Sequence, residues 1–154
     1  MKIIGFIGHR MLCDDLIQNL RLVIEKQILM GNKTFILGNH GDFDEMVLKV
    51  LREMRKKYND IKVQVVITGF SQLFRRTGRN TIEREELYKD EETIMFEIEE
   101  EYFKRRITRS NELMIDKSDI LICYVDESRT RSGAKIALKY AVNKGVEIIN
   151  LYYK

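Results

Sequence analysis

Both histidines of the chain, His9 and His40, stand in short glycine-bearing segments that directly follow apolar runs. The first is Gly8-His9-Arg10, after the run 2–7, and the second is Gly38-Asn39-His40-Gly41-Asp42-Phe43-Asp44, after 34–37. A third polar segment, 128–133, follows the apolar run 120–125 and ends in Ser132-Gly133. Glycine at a strand end lets the backbone turn sharply or approach a ligand closely. A helix beginning there aims free N–H groups and a partial positive charge at whatever lies above the turn. Arg10 suits an anion, because a guanidinium grips phosphate or carboxylate through two parallel hydrogen bonds; its plainer role is a surface ion pair. His9 has the chemistry of a phosphate donor, an acid or a base, and equally that of a residue ordering its turn. Asp44 either caps the helix starting beside it or accepts the hydroxyl pair of a ribose. Ser132-Gly133 opening a helix makes a phosphate cradle, although serine is also an ordinary N-cap.

Arg105 and Arg109, four apart, share a helix face. With Asn111 they either line the same crevice or bind the acidic stretch 81–101. The chain has no G-x-G-x-x-G and no Walker run, which argues against a dinucleotide cofactor or an NTPase. It offers no Ser-His-Asp triad either. Cys13 and Cys123 lack CxxC or CxxH spacing, so no metal and no resident cofactor is expected. They read as the free thiols of a cytoplasmic protein.

These loops need elements to hold them. A chain of 154 residues fits one domain with a core of its own. Leu16, Leu20, Val23, Ile24 and Ile28 recur at helical spacing, predicting a first helix over 14–30 that ends at Gly31-Asn32. Apolar runs at 2–7, 34–38, 62–68, 119–125 and 146–151 read as strands, and 42–58, 107–117 and 132–143 as helices, the last ended by Gly145. Alternating strands and helices predict a Rossmann-like, three-layer α/β sandwich with a mostly parallel five-stranded sheet in the order 3-2-1-4-5. In such a sheet ligands bind at the carboxyl ends of the strands flanking the switch in strand order, which here lies between the first and fourth strands. The exception to the alternation is 69–104, basic at Arg75, Arg76 and Arg79 and then acidic. An insertion of that length is usually functional or disordered. It is expected either as a lid hinged at Gly69 and Gly78 or as a plain solvated excursion. No run approaches the roughly 18 apolar residues of a membrane span, and a net charge of +3 with interspersed acids does not suggest nucleic-acid binding.

Taken in order, Gly8-His9-Arg10, Gly38-x-x-Gly41-x-Phe43-Asp44, Arg109-x-Asn111-x-x-Met114-Ile115-Asp116-x-Ser118-Asp119-x-Leu121-Ile122 and Ser132-Gly133-Ala134 with Tyr140-Ala141 and Gly145 resemble the SLOG superfamily. This is the Smf/DprA and LOG group of Rossmann-like proteins, and the likeness is to its small YpsA-like and stand-alone members. It covers the chain outside 69–104. The resemblance implies a pocket for a nucleotide or nucleotide-derived molecule, in a sensor or in an N-glycosidic-bond hydrolase. The hydrolase branch carries Pro-Gly-Gly-x-Gly-Thr-x-x-Glu after the fourth strand. The matching stretch here, 125–136, has no double glycine, and no acid falls between Ala134 and Ala141.

The expected function is therefore binding of a nucleotide-derived small molecule, as a sensor or sequestering protein. The site would comprise Gly8, His9, Arg10, Gly38, His40, Gly41, Asp44, Arg109, Asn111, Ser132 and Gly133. The alternative is a nucleotide N-glycosidase, phosphoribohydrolase or ribosyltransferase, for which Asp44, Glu45 and Asp126 are the available carboxylates. A homo-oligomer, as a dimer, is expected from the long apolar faces of the first two helices.

Overall fold

Side chains alternate between two faces along the central strands, and each face meets its own pair of helices. The computed structural model describes residues 1–9, 15–39, 41–67, 74–76, 84–86, 92–95, 103–130 and 132–153. Its elements run β1 (Ile3–Gly8), α1 (Leu16–Leu29), β2 (Thr34–Leu37), α2 (Asp42–Lys57), β3 (Lys62–Val66), β4 (Phe74–Arg76), β5 (Arg84–Glu86) and β6 (Glu92–Met95). They continue with α3 (Phe103–Asp116), β7 (Ile120–Tyr124), α4 (Gly133–Asn143), β8 (Glu147–Asn150) and a closing 3-10 turn, Leu151–Tyr153.

One core joins Ile4 and Phe6 of β1, Phe35 and Leu37 of β2, Val63 and Val65 of β3, and Ile120 and Ile122 of β7 to α1 and α2. The intervening residues Ile7, Ile36, Val66, Leu121 and Cys123 form a second core with Met114 and Ile115 of α3 and with Ala137, Leu138 and Ala141 of α4. A strand's period of two delivers successive side chains to opposite faces, so strands covered on both sides read as continuous apolar runs. In α1 the buried positions Leu16, Leu20, Ile24 and Ile28 are spaced by four, which makes a single stripe. Gly31 at φ 94° and Gly145 at φ 77° take the left-handed conformation just beyond α1 and α4, where glycine is favoured.

The main sheet runs β6-β3-β2-β1-β7-β8, and every pairing in it is parallel. Its five strands β3-β2-β1-β7-β8 reproduce the expected order 3-2-1-4-5. The sixth, β6, lies outside β3 and comes from the segment read as an insertion. That segment also contributes the antiparallel pair β4–β5, with Arg75 opposite Glu85 in register. Its acidic composition hid the strand, because an edge strand needs no continuous apolar run. The proposed hinges Gly69 and Gly78, and Arg79, lie outside the described residues. Helix α3 starts four residues earlier than its apolar spacing indicated, at Phe103.

Candidate functional site

The change in strand order falls between β1 and β7, as the sequence implied. β1 ends at Gly8 opposite Tyr124 of β7. From this edge the chain leaves β2 for α2 and β7 for α4. Arg10, His40 and Arg131, three of the predicted or supporting residues, lie outside the described residues.

Gly8 is half-buried, and a Cβ on it would overlap the Phe43 ring at the start of α2. The glycine is thus required by the packing of α2 against β1, whatever else it does. His9 is buried, and its ring is held at both nitrogens. The Asp126 backbone N–H donates to Nε2 at 2.7 Å, and Nδ1 lies 3.3 Å from Ser132 Oγ. Accepting at Nε2 fixes the proton of the neutral ring on Nδ1. Ser132 Oγ therefore accepts from His9, and it also accepts from the Lys135 N–H at 3.2 Å as the N-cap of α4. Both lone pairs are used, which leaves the hydroxyl hydrogen to donate elsewhere. Serine, histidine and aspartate are neighbours here, as in a hydrolase, but the polarity is reversed. Nδ1 already carries a proton and cannot take one from Ser132, and it is the Asp126 backbone that faces the ring.

The pKa of His9 lies below the ordinary histidine value, chiefly because burial disfavours the imidazolium and secondarily because of the Arg129 charge. The Asp126 carboxylate accepts from the Ser128 N–H at 3.0 Å, the Ser128 hydroxyl at 2.6 Å and the Tyr152 hydroxyl at 3.2 Å. The Ser128 hydroxyl and backbone bonds are the main reason its pKa is lowered. It is an ionised anchor that closes the start of the β7–α4 loop, and its lowered pKa does not suit a proton donor. Lys135 clamps the other end, its ammonium donating to the Arg129 carbonyl at 3.1 Å. Arg129 itself is exposed.

The two helices entering the crevice differ in charge. α2 carries Asp42, Asp44 and Glu45 in its first turn, with Asp44 half-buried. α4 has no acid in its first turn, and Arg129 and Lys135 stand beside it. Gly133, its first residue, is exposed, and among the described residues no atom lies within 4 Å of where its Cβ would be. Gly38 is buried directly after β2, and Gly41 precedes α2 in extended backbone.

The remaining predicted residues, Arg109 and Asn111, lie on α3. Arg109 is exposed and pairs with Glu112 at 2.9 Å on its own helix. Asn111 is half-buried. The run that follows braces the opposite edge of the sheet. Asp116 accepts from the Tyr140 hydroxyl at 2.8 Å. Ser118 donates to the Met114 carbonyl at 2.7 Å beneath Gly5, where a Cβ would overlap it. Asp119 accepts from the Ile3 N–H at 2.8 Å. Cys123 is buried, which pushes its thiol up to about 12 and leaves it protonated.

Sequence reasoning overlooked Ser128, Lys135, Asn150 and Tyr152. Asn150 bonds both the N–H and the carbonyl of Val125, extending the β7–β8 pairing by a side chain. The only signal was position, since all four lie between the end of β7 and the turn after β8. Among the described residues no group of three or more His, Cys, Asp or Glu could hold a metal. No described helix is long and apolar enough to cross a membrane. No family model matches the chain, and no curated protein is similar to it.

Proposed function

We propose that the protein binds a nucleotide or nucleotide-derived small molecule across the carboxyl edge of β2, β1 and β7, as a sensor or sequestering protein. The observation that carries this reading is the opposition of charge between the two helix starts. α4 offers free N–H groups, a hydroxyl hydrogen on Ser132, the open space over Gly133 and the cations Arg129 and Lys135. That combination suits a phosphate. α2 offers carboxylates, which repel phosphate and accept from hydroxyl groups. Their strands are separated only by β1 in the sheet, so both helix starts open on the same carboxyl edge, from its two faces. The same class of ligand is what the SLOG resemblance implies.

Binding without turnover is favoured by the reversed polarity of Ser132, His9 and Asp126, which supplies no base for a nucleophile. A glycosidase would have to use Asp44, Glu45 or the ionised Asp126 as its carboxylate. Calorimetry against nucleoside monophosphates, cyclic nucleotides and ribose 5-phosphate tests the binding. Submillimolar affinity for at least one is expected, with loss in Ser132→Ala. A folded protein that binds none of them at millimolar concentration refutes it. Base release abolished by Asp44→Asn would instead establish the enzyme.

The apolar faces that suggested a dimer are buried on the sheet. Open to a second copy is the outward stripe of α1, with Leu22 and Leu29 each 71% exposed, more than Ile136 and Val142 on α4. We propose pairing through it. Light scattering should give twice 18.3 kDa at micromolar concentration and the single mass for Leu22→Glu.

A further inference from the structure

Two exposed tyrosines close the chain at the same edge of the sheet. β8 is parallel to β7, so the turn Leu151–Tyr153 leaves at the carboxyl edge. It stands on the face of α1 and α2, because Leu151 and Tyr124 belong to that core. Tyr152 is 40% and Tyr153 59% exposed. Neither ring hangs free. The Tyr152 hydroxyl donates to Asp126 Oδ2 at 3.2 Å, and the Tyr153 hydroxyl accepts from the Glu127 N–H at 3.1 Å. The Tyr152 N–H donates to Asn150 Oδ1 at 3.2 Å, which ties the turn to the residue that extends the sheet. The rings continue inward as a row. Tyr153 meets Tyr152 edge-on at 5.1 Å, Tyr152 meets Tyr124 at 5.3 Å, and Tyr124 meets His9 at 6.4 Å.

With both hydroxyls bonded to the loop, what these tyrosines present outward is aromatic surface. Ordered aromatic surface of this kind stacks on planar heteroaromatic rings and is indifferent to their hydrogen-bonding pattern. The loop 126–132 joins this surface to the start of α4. Its first residues hold the tyrosines, and its last caps the helix.

We infer that Tyr152 and Tyr153 form the subsite for the base of a nucleotide whose phosphate lies on Ser132 and Gly133. This rests on the reading proposed above and deepens it. A 5′-nucleotide has three recognisable parts: base, phosphate and the 2′,3′-hydroxyl edge of the sugar. The base and the phosphate leave the sugar on the side away from that hydroxyl edge. The three protein features have the same arrangement. The acidic start of α2 is on the β2 side, whereas the tyrosines and the α4 start are both on the β7–β8 side, over opposite faces of the sheet.

The test compares the four common nucleoside 5′-monophosphates with ribose 5-phosphate, which keeps phosphate and sugar and lacks the base. Calorimetry on the full chain should show the best nucleotide binding at least about tenfold more tightly than ribose 5-phosphate, in keeping with the usual worth of one base stack. Tyr152→Leu/Tyr153→Leu should bring the two to within about twofold and leave ribose 5-phosphate affinity unchanged. Tyr152→Phe/Tyr153→Phe, which loses the hydroxyl bonds and keeps the rings, should retain the preference. Ribose 5-phosphate binding as tightly as every nucleotide overturns the base subsite and leaves the phosphate reading standing. A Phe variant as unselective as the Leu variant overturns it too, because the tyrosines would then act only by anchoring the loop. Failure of all five ligands removes both readings together.

Discussion

His9 joins the end of β1 to the loop after β7 through two bonds of opposite sense, and that sense has a consequence for pH. Protonation would place an N–H on Nε2, against the Asp126 N–H that now donates to it. The folded pKa lies below 6.5, so the unfolded chain binds the proton first as pH falls. The stability His9 contributes is fully present above 6.5 and is lost as pH drops through the lowered folded value. Urea unfolding should therefore show this stability level above 6.5 and falling as the pH drops below it. His9→Gln, whose amide oxygen can accept from Asp126 but whose side chain cannot titrate, should flatten that slope. A slope identical in the two proteins would show that His9 is not its source.

At the scale of the element, α4 begins with a residue that weakens it. Glycine in a helix costs up to about 1 kcal/mol relative to alanine, yet among the described residues nothing occupies the space a Cβ at Gly133 would take. The absent side chain is explained if a ligand atom approaches the backbone there. Gly133→Ala should then raise thermal stability slightly and weaken nucleotide binding, two effects of opposite sign from one methyl group. A variant that is both more stable and equally good at binding removes Gly133 from the site. α2 differs in this respect: its neighbour Gly8 is required by the Phe43 ring, a purely internal reason.

For the whole molecule, stability is graded from the centre of the sheet outward. β1 and β7 are nearly wholly buried, whereas β8 is half-buried with Glu147 exposed and pairs on one side only. Amide exchange should be slowest in β1, β2 and β7, reporting global unfolding, and faster in β8 through local opening. β8 amides as protected as those of β1 would mean that its outer edge is covered in solution. A second copy pairing through that edge would do this, in place of the α1 stripe.

Periodicity determined the layers and the helix faces, and the alternation of strands and helices with crossover connections pointed to the order 3-2-1-4-5. Burying a strand on both faces or a helix on one stripe demands a pattern that local sequence must carry. Leu16, Leu20, Ile24 and Ile28 display it, as do the apolar runs of β1 and β7. The N-cap of α4 was legible for the same reason, because an N-cap is a local device and Ser132 stands where one is needed. Tertiary structure decided what depends on partners distant in the chain. His9 meets Ser132 across 123 positions, and Asp126 meets Tyr152 across 26. No spacing rule encodes contacts that only the closing of the sheet creates. Arg109, by contrast, has a local partner, Glu112 three positions on along the same helix. The edge strand β6 escaped for a related reason, since pairing with β3 is a backbone matter that four residues, Glu92-Thr93-Ile94-Met95, inside an acidic stretch do not advertise.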